Sequence, residues 1–175
     1  MRFKHSVIVI GILTVAVGIY HFANPIFYWT MTVGWHLTNP EVIQFQQVVV
    51  HLPLPWWVSS RNSDGLHLAV APSGELKAGA ALHIRRGKVT EEALRKKYRT
   101  APLSVDGGMA DFVEYKYGKI ADGDAIGVRF EDKTRRKLYE FWTIPSRQIL
   151  LIIPGVPQEA YPVIFDFINT NLRVA

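Results

Sequence analysis

The strongest hydrophobic signal in the chain is its first forty residues. Between His5 and Pro40 there is no Asp, Glu, Lys or Arg, and Val7 to Val17 reads VIVIGILTVAV. A helix over Phe3–Ala23 would rise ~31 Å at 1.5 Å per residue, about one bilayer core. The pattern predicts a single N-terminal transmembrane helix over residues 1–23. Arg2 and Lys4 precede it, and the next Lys or Arg is Arg61. The positive-inside rule then places the N-terminus in the cytoplasm and the rest of the chain on the extracytoplasmic, periplasmic side of the inner membrane. Two other readings stay open. Small residues at Ala16-Val17-Gly18 suit cleavage of a signal peptide, and the stretch would also serve as a buried core helix. Asn24-Pro25 interrupts the run, and Ile26 to Leu37 is too short for a second span. Residues 24–40 form an aromatic juxtamembrane segment in this reading. Tyr20, Phe27, Tyr28, Trp29 and Trp35 are expected at the level of the lipid headgroups, or packed on the domain that follows.

From residue 41 to 175 the periodicity changes to that of a folded domain. Phe45 to Leu52 is rich in β-branched residues and reads as a strand, which Pro53-Leu54-Pro55 ends. Trp56 to Ser60, Leu66 to Ala71 and Ala80 to Arg86 read as further strands, with a turn at Arg61-Asn62-Ser63-Asp64-Gly65. Thr90 to Arg99 is the clearest helix: Thr90 can cap it, Glu91 and Glu92 suit its N-terminal end, and Arg95, Lys96, Lys97 and Arg99 suit its C-terminal end. Met109 to Tyr117 alternates, which puts Phe112, Glu114 and Lys116 on one side and Val113, Tyr115 and Tyr117 on the other. Ala125 to Glu131 and Lys137 to Ile144 flank a polar turn and predict a hairpin. Gln148 to Ile153 is a continuous apolar run, expected to be a strand covered on both faces and stopped by Pro154-Gly155-Val156-Pro157. Between Gln158 and Leu172 apolar residues recur at helical spacing, with Pro162 tolerable only in the first turn. The predicted class is α+β: a largely antiparallel sheet with helices packed on it, preceded by the transmembrane helix.

Composition narrows the function. The chain has 175 residues, no cysteine and a formal net charge of +5. Without cysteine there is no disulfide framework, no thiolate catalysis and no cysteine-ligated zinc. Beyond Arg2 and Lys4 the balance is 18 basic to 15 acidic residues, net +3. That excess is too mild to predict nucleic-acid binding.

The element order resembles the PsbP-like fold, named for an extrinsic subunit of the photosystem oxygen-evolving complex. The likeness covers about residues 45–172. It rests on a strand entering Leu54-Pro55-Trp56, strands and a helix at Thr90 to Arg99, a four-strand meander from Met109 to Ile153, and a terminal helix ending Phe167-Ile168-Asn169-Thr170-Asn171-Leu172. The resemblance implies a binding or assembly domain, and it carries over no site residue.

No catalytic motif stands out. His51, His67 and His83 fall on predicted strands, and their convergence would make a metal site; His67 and His83 are the closer pair. The serines sit in no nucleophile elbow, and the carboxylates near turns read as solvated. Arg85, Arg86, Arg95, Lys96, Lys97, Arg135 and Arg136 form basic clusters that suit an acidic partner or anionic lipid. The expected function is that of a single-pass membrane protein whose extracytoplasmic domain binds another envelope protein as an accessory subunit or adaptor, with no cofactor. An immunity-type protein that neutralises a toxin at the membrane and an envelope hydrolase are the alternatives.

Overall fold

The computed structural model describes residues 25–73, 79–87, 89–98, 102–105 and 108–174. Helix α1 covers 25–38. The described elements after it are β1 (Val42–Phe45), β2 (Val48–His51), β3 (Trp56–Arg61), β4 (Gly65–Val70), β5 (Ala80–Arg86), α2 (Glu91–Lys97), β6 (Leu103–Val105), β7 (Gly108–Ile120), β8 (Gly123–Asp132), β9 (Lys137–Ile144), β10 (Ile149–Pro157), α3 (Tyr161–Asn171) and β11 (Leu172–Val174). Eight strands form one antiparallel sheet in the order β3-β4-β5-β10-β9-β8-β7-β6, and β1-β2-β11 form a second.

This corrects the expected fold class. The described chain is mostly antiparallel strand, with a large sheet curled into a half-barrel and few helices. Three features shift the balance from α+β to β. Helix α2 is only two turns long and buries only Leu94. Strand β7 runs for 13 residues, well past the predicted Tyr117. Strand β10 passes through Pro154-Gly155-Val156-Pro157 instead of ending there. Prolines are tolerated at that point because β10 pairs with β5 only over Ile149–Ile152. Beyond it, β10 pairs with β9 alone, across a bulge between Ile153 and Val156, so the missing N–H groups interrupt little of the ladder. Gly155, at φ 70, lies where a Cβ would stand 2.6 Å from the Tyr139 ring.

The membrane-spanning and signal-anchor readings are also corrected. No described helix is long and apolar enough to cross a membrane. The 14 described residues of α1 reach ~21 Å, short of the ~30 Å hydrocarbon core. The stretch Phe3–Ala23 and the headgroup position of Tyr20 lie outside the described residues.

Strand alternation gives the large sheet two differently covered faces. On one face Leu66, Leu68, Leu82, Ile84, Leu151, Trp142 and Ile144 join Ile164, Phe167 and Ile168 of α3 and Val48, Val50 and Leu172 of the small sheet in the main core. Trp56 stacks on Phe167 with ring centroids 3.8 Å apart, which fixes α3 over β3. The other face of β7, β8 and β9 carries a second core of Ala110, Val128 and Phe130 under Leu94, surrounded by Tyr98, Phe112, Tyr115, Tyr139 and Phe141. Thr90 caps α2 by accepting from the Ala93 N–H at 3.2 Å.

A bulge between Phe112 and Glu114 changes the phase of β7. Phe112 pairs with Phe130 and Tyr115 with Val128, so both rings point into the second core, 5.0 Å apart. Glu114 and Lys116 face the other way. Simple alternation places Phe112 with Glu114 and Lys116; the extra residue in the bulge moves it across.

Candidate functional site

Helix α1 is amphipathic in the inverted sense. Its polar side chains face the domain: Thr32, fully buried, donates to the Tyr28 carbonyl of its own helix at 2.8 Å and lies 3.5 Å from the Pro55 carbonyl. His36 Nε2 donates to the Trp56 carbonyl at 2.8 Å, and Trp29 Nε1 to the Pro72 carbonyl at 3.0 Å. Two of these carbonyls belong to the approach and first residue of β3, an outer strand of the large sheet. The helix thereby covers part of an edge that would otherwise template strand pairing. Asn39 closes α1, its backbone N–H and its Nδ2 both donating to the Trp35 carbonyl at 2.9 and 3.0 Å, and the chain enters β1 without starting a helix at Pro40.

The opposite side of α1 is apolar and open. Ile26, Val33 and Leu37 are 62%, 46% and 80% exposed and recur at helical spacing with Trp29 between them. Phe27 and Met31 flank this stripe, also exposed. No charged residue breaks it. Of the aromatic residues expected at the headgroup level, the four that are described, Phe27, Tyr28, Trp29 and Trp35, therefore do not share one surface. Phe27 faces outward, and Trp29, partly exposed, turns its indole N–H to the Pro72 carbonyl. Tyr28 packs over Gly79, where a Cβ would sit 2.8 Å from its ring, and Trp35 packs against the main core.

Beside α1 lies a cleft of about 410 Å³ lined by Phe27, Tyr28, Trp57, Ala69, Ala80 and Val156, with Ser59 and Gly155 at its wall. Trp57 Nε1, next to this cleft, is buried without a hydrogen-bond partner. An unsatisfied donor of this kind costs about 1–3 kcal/mol, and a carbonyl brought to it would recover that.

The basic residues singled out from sequence do not make one surface. Arg85 and Arg86 end β5 and, as successive strand residues, point to opposite faces. Arg95 pairs with Glu91 at 2.8 Å, lies 4.5 Å over the Tyr115 ring and bonds the Tyr117 hydroxyl. The Tyr117 hydroxyl and Arg95 together lower the Glu91 carboxyl below its ordinary value. Lys96 is exposed, and Lys97 lies 5.2 Å over Tyr98. Arg135 pairs with Asp132 at 3.6 Å, and Arg136 takes φ 53 in the β8–β9 turn.

Of the three histidines, two come together. His67 and His83 are cross-strand partners in β4 and β5, stacked at 4.1 Å with a 13° angle between rings. Parallel imidazoles direct their in-plane nitrogens side by side rather than at one point, and no group of three or more metal-binding side chains occurs among the described residues. His51 sits in the small sheet with Glu41 at 3.7 Å and Asn171 at 3.2 Å. Ser59 donates to the His67 carbonyl at 3.1 Å, not to its ring.

Burial, then the neighbouring His67 and Arg85, lowers the His83 pKa from its ordinary 6.5. The folded value thus lies below the unfolded one, and the unfolded chain binds more protons between them. The stabilisation from neutral His83 is complete above about pH 6.5 and is lost as pH falls through the folded value. Melting temperature is expected to fall between pH 7.5 and 5, and His83→Gln should flatten that slope. An unchanged slope in the variant would remove His83 from the account.

The most connected polar group is one the sequence pattern did not reveal. Glu140, fully buried in β9, accepts from Arg129 Nε at 2.5 Å and Lys116 Nζ at 3.4 Å through Oε1. Its Oε2 accepts from Trp142 Nε1 and the Tyr161 hydroxyl, each at 2.7 Å. Lys116 Nζ lies 5.2–5.5 Å from the rings of Trp142, Tyr161 and Phe165. Burial and Glu140 push the Tyr161 hydroxyl well above its ordinary range. Arg129 ends above its usual value because the Glu140 carboxylate outweighs the effect of burial, the largest single influence, which acts in the opposite direction. Every carboxylate oxygen is already held by chain donors, so the cluster ties α3 to β7, β8 and β9 and presents no reactive lone pair. The legible signal was a lone Glu inside the apolar run KLYEFWTI.

The chain matches no protein-family model and no curated protein.

Proposed function

We propose that this domain is an accessory or adaptor module that docks a second, different protein through the outer face of α1. The observation that carries this reading is the inversion of α1: the His36 and Trp29 ring nitrogens bond the domain and Thr32 is buried against it, while Ile26, Val33 and Leu37 face outward. A contiguous exposed apolar patch of this kind marks an interaction surface. The adjoining cleft favours a protein occupant, because it offers a shaped apolar recess for a side chain of the partner. The resemblance to the PsbP-like fold points the same way.

The test places a photo-crosslinking residue at Val33 or Leu37 in the full chain in its native cells, with Lys133 as control. One discrete adduct with a different protein is expected from both α1 positions and none from the control. The identified protein, purified, should bind the wild-type chain and lose about tenfold or more in affinity for Val33→Asp or Leu37→Asp. These exposed substitutions should change stability by no more than about 0.5 kcal/mol. Adducts only with lipid, adducts only with a second copy, or no adduct would each overturn the reading.

A further inference from the structure

A second concave site lies at the opposite kind of surface, polar throughout. The β1–β2 turn, the end of β5 and the turn entering β10 enclose a cleft of about 190 Å³ lined by Gln46, Gln47, Arg86, Arg147 and Gln148. The lining carries two arginines and three glutamines, all able to donate, and no carboxylate. Among the described residues, neither Arg86 nor Arg147 has an ion pair or a side-chain hydrogen bond. The nearest acid by backbone contact is Asp64, whose carbonyl accepts from Arg86 N at 3.2 Å. Its carboxylate is instead engaged by Ser63 Oγ, at 3.2 Å.

The frame of this cleft is held by the backbone. Gln46 and Gln148 adopt φ 56 and φ 54, the left-handed region that costs a non-glycine residue about 1 kcal/mol or more. The Gln148 carbonyl accepts from Gly87 N at 2.8 Å and Gln148 N donates to Pro145 at 3.3 Å. Gln46 Nε2 donates to the Ser63 carbonyl at 3.3 Å. Arg61 reaches across to the Gln44 carbonyl at 3.0 Å, fixing the small-sheet hairpin against β3. Two like charges are thus brought to one cleft by segments distant in sequence, with nothing anionic between them. Two guanidiniums at one cleft suit an oxyanion whose oxygens accept from both.

We propose that this cleft binds a small, multiply charged oxyanion of the phosphate class, its oxygens shared between Arg86 and Arg147 with the glutamine amides completing the shell. The volume admits a phosphate-sized group rather than a peptide segment. None of the lining residues belongs to α1, so the site stands or falls separately from the docking of a partner.

The experiment is calorimetric titration of the purified full chain with sodium phosphate, at ionic strength held constant with sodium chloride. A parallel titration uses sodium acetate. Saturable one-to-one binding of phosphate is expected with Kd on the order of 1 mM. Arg86→Gln and Arg147→Gln should each weaken it by about tenfold. Arg147→Lys, which keeps the charge and loses the fork, should fall between. Lys96→Gln with Lys97→Gln, on the exposed face of α2, should leave it unchanged. These side chains are exposed, and unchanged circular dichroism confirms that each variant folds. Absence of saturable binding, equal binding by the Arg86→Gln/Arg147→Gln double variant, or equal affinity for acetate would overturn the proposal.

Discussion

Replacing Glu140 with alanine is expected to remove about 3–5 kcal/mol from the free energy of unfolding, measured by urea denaturation at neutral pH. The carboxylate is fully buried, while the Lys116 and Arg129 side chains that face it are 25% and 20% exposed. Its removal leaves two partly buried cations without a counter-charge, and strands the Trp142 N–H and Tyr161 O–H without their acceptor. Domains of this size are typically stable by about 5–15 kcal/mol, so the variant should lose a large share of its stability and melt at a clearly lower temperature. Glu140→Gln keeps the shape and one acceptor oxygen and should lose less. A triple replacement of Glu140, Arg129 and Lys116 by Leu, Met and Met should recover only the part due to the unpaired cations, because Trp142 N–H and Tyr161 O–H still lack their acceptor. A loss under about 1 kcal/mol for Glu140→Ala would mean that water compensates these groups, and the cluster would no longer count as the tie between α3 and the sheet.

Trp56→Ala should produce a loss of similar size by a different route. Trp56 is 3% exposed and stacks on Phe167 at 3.8 Å, at the junction of β3, α3 and the main core. Truncation removes the transfer free energy of an indole and leaves a cavity that rigid neighbours fill only in part, about 3–5 kcal/mol in total. Trp56→Phe should retain most of the stability. The bond from His36 goes to the Trp56 backbone carbonyl, which the substitution preserves, so α1 should stay docked. Protease protection of the segment around residue 38 checks this: protection lost in step with stability is expected, and selective loss at α1 would assign Trp56 a direct part in holding the helix.

Much of the local structure was legible in the chain. The Thr90 cap, the charge gradient of α2, the hairpin around Asp132-Lys133-Thr134-Arg135-Arg136 and the terminal helix after Pro157 all follow from short-range rules, because capping, turns and amphipathic periodicity depend on neighbours within a few residues. Where local reading failed, a non-local partner decided. Strand β10 continues through two prolines because its neighbour β5 has already ended its pairing with it. Phe112 changes face because an extra residue in β7 opposes β8. The class changed from α+β to mostly β by the same kind of extension.

The candidate sites divide in the same way. Sequence marked residues 24–40 as an uncharged aromatic stretch and located basic residues in three places. It had no means of saying which aromatics face the domain, since His36 and Trp29 find carbonyls 20 and 43 positions away in chain order, at Trp56 and Pro72. Nor could it bring Arg86 to Arg147 or Lys116, Arg129 and Glu140 to one another, because each group lies on separate strands or turns whose register is set by pairing.

By itself, then, the sequence determined the Thr90-capped helix, the β8–β9 hairpin and the terminal helix, and that its first forty residues carry charge only at Arg2 and Lys4. Tertiary structure alone decided the sidedness of α1, the burial of Glu140 among its donors and the meeting of two arginines at one cleft. The reason is physical: secondary structure is written in interactions that decay within a turn or two of chain, whereas the environment of a side chain is fixed by strand register and packing, which sum over residues far apart in sequence.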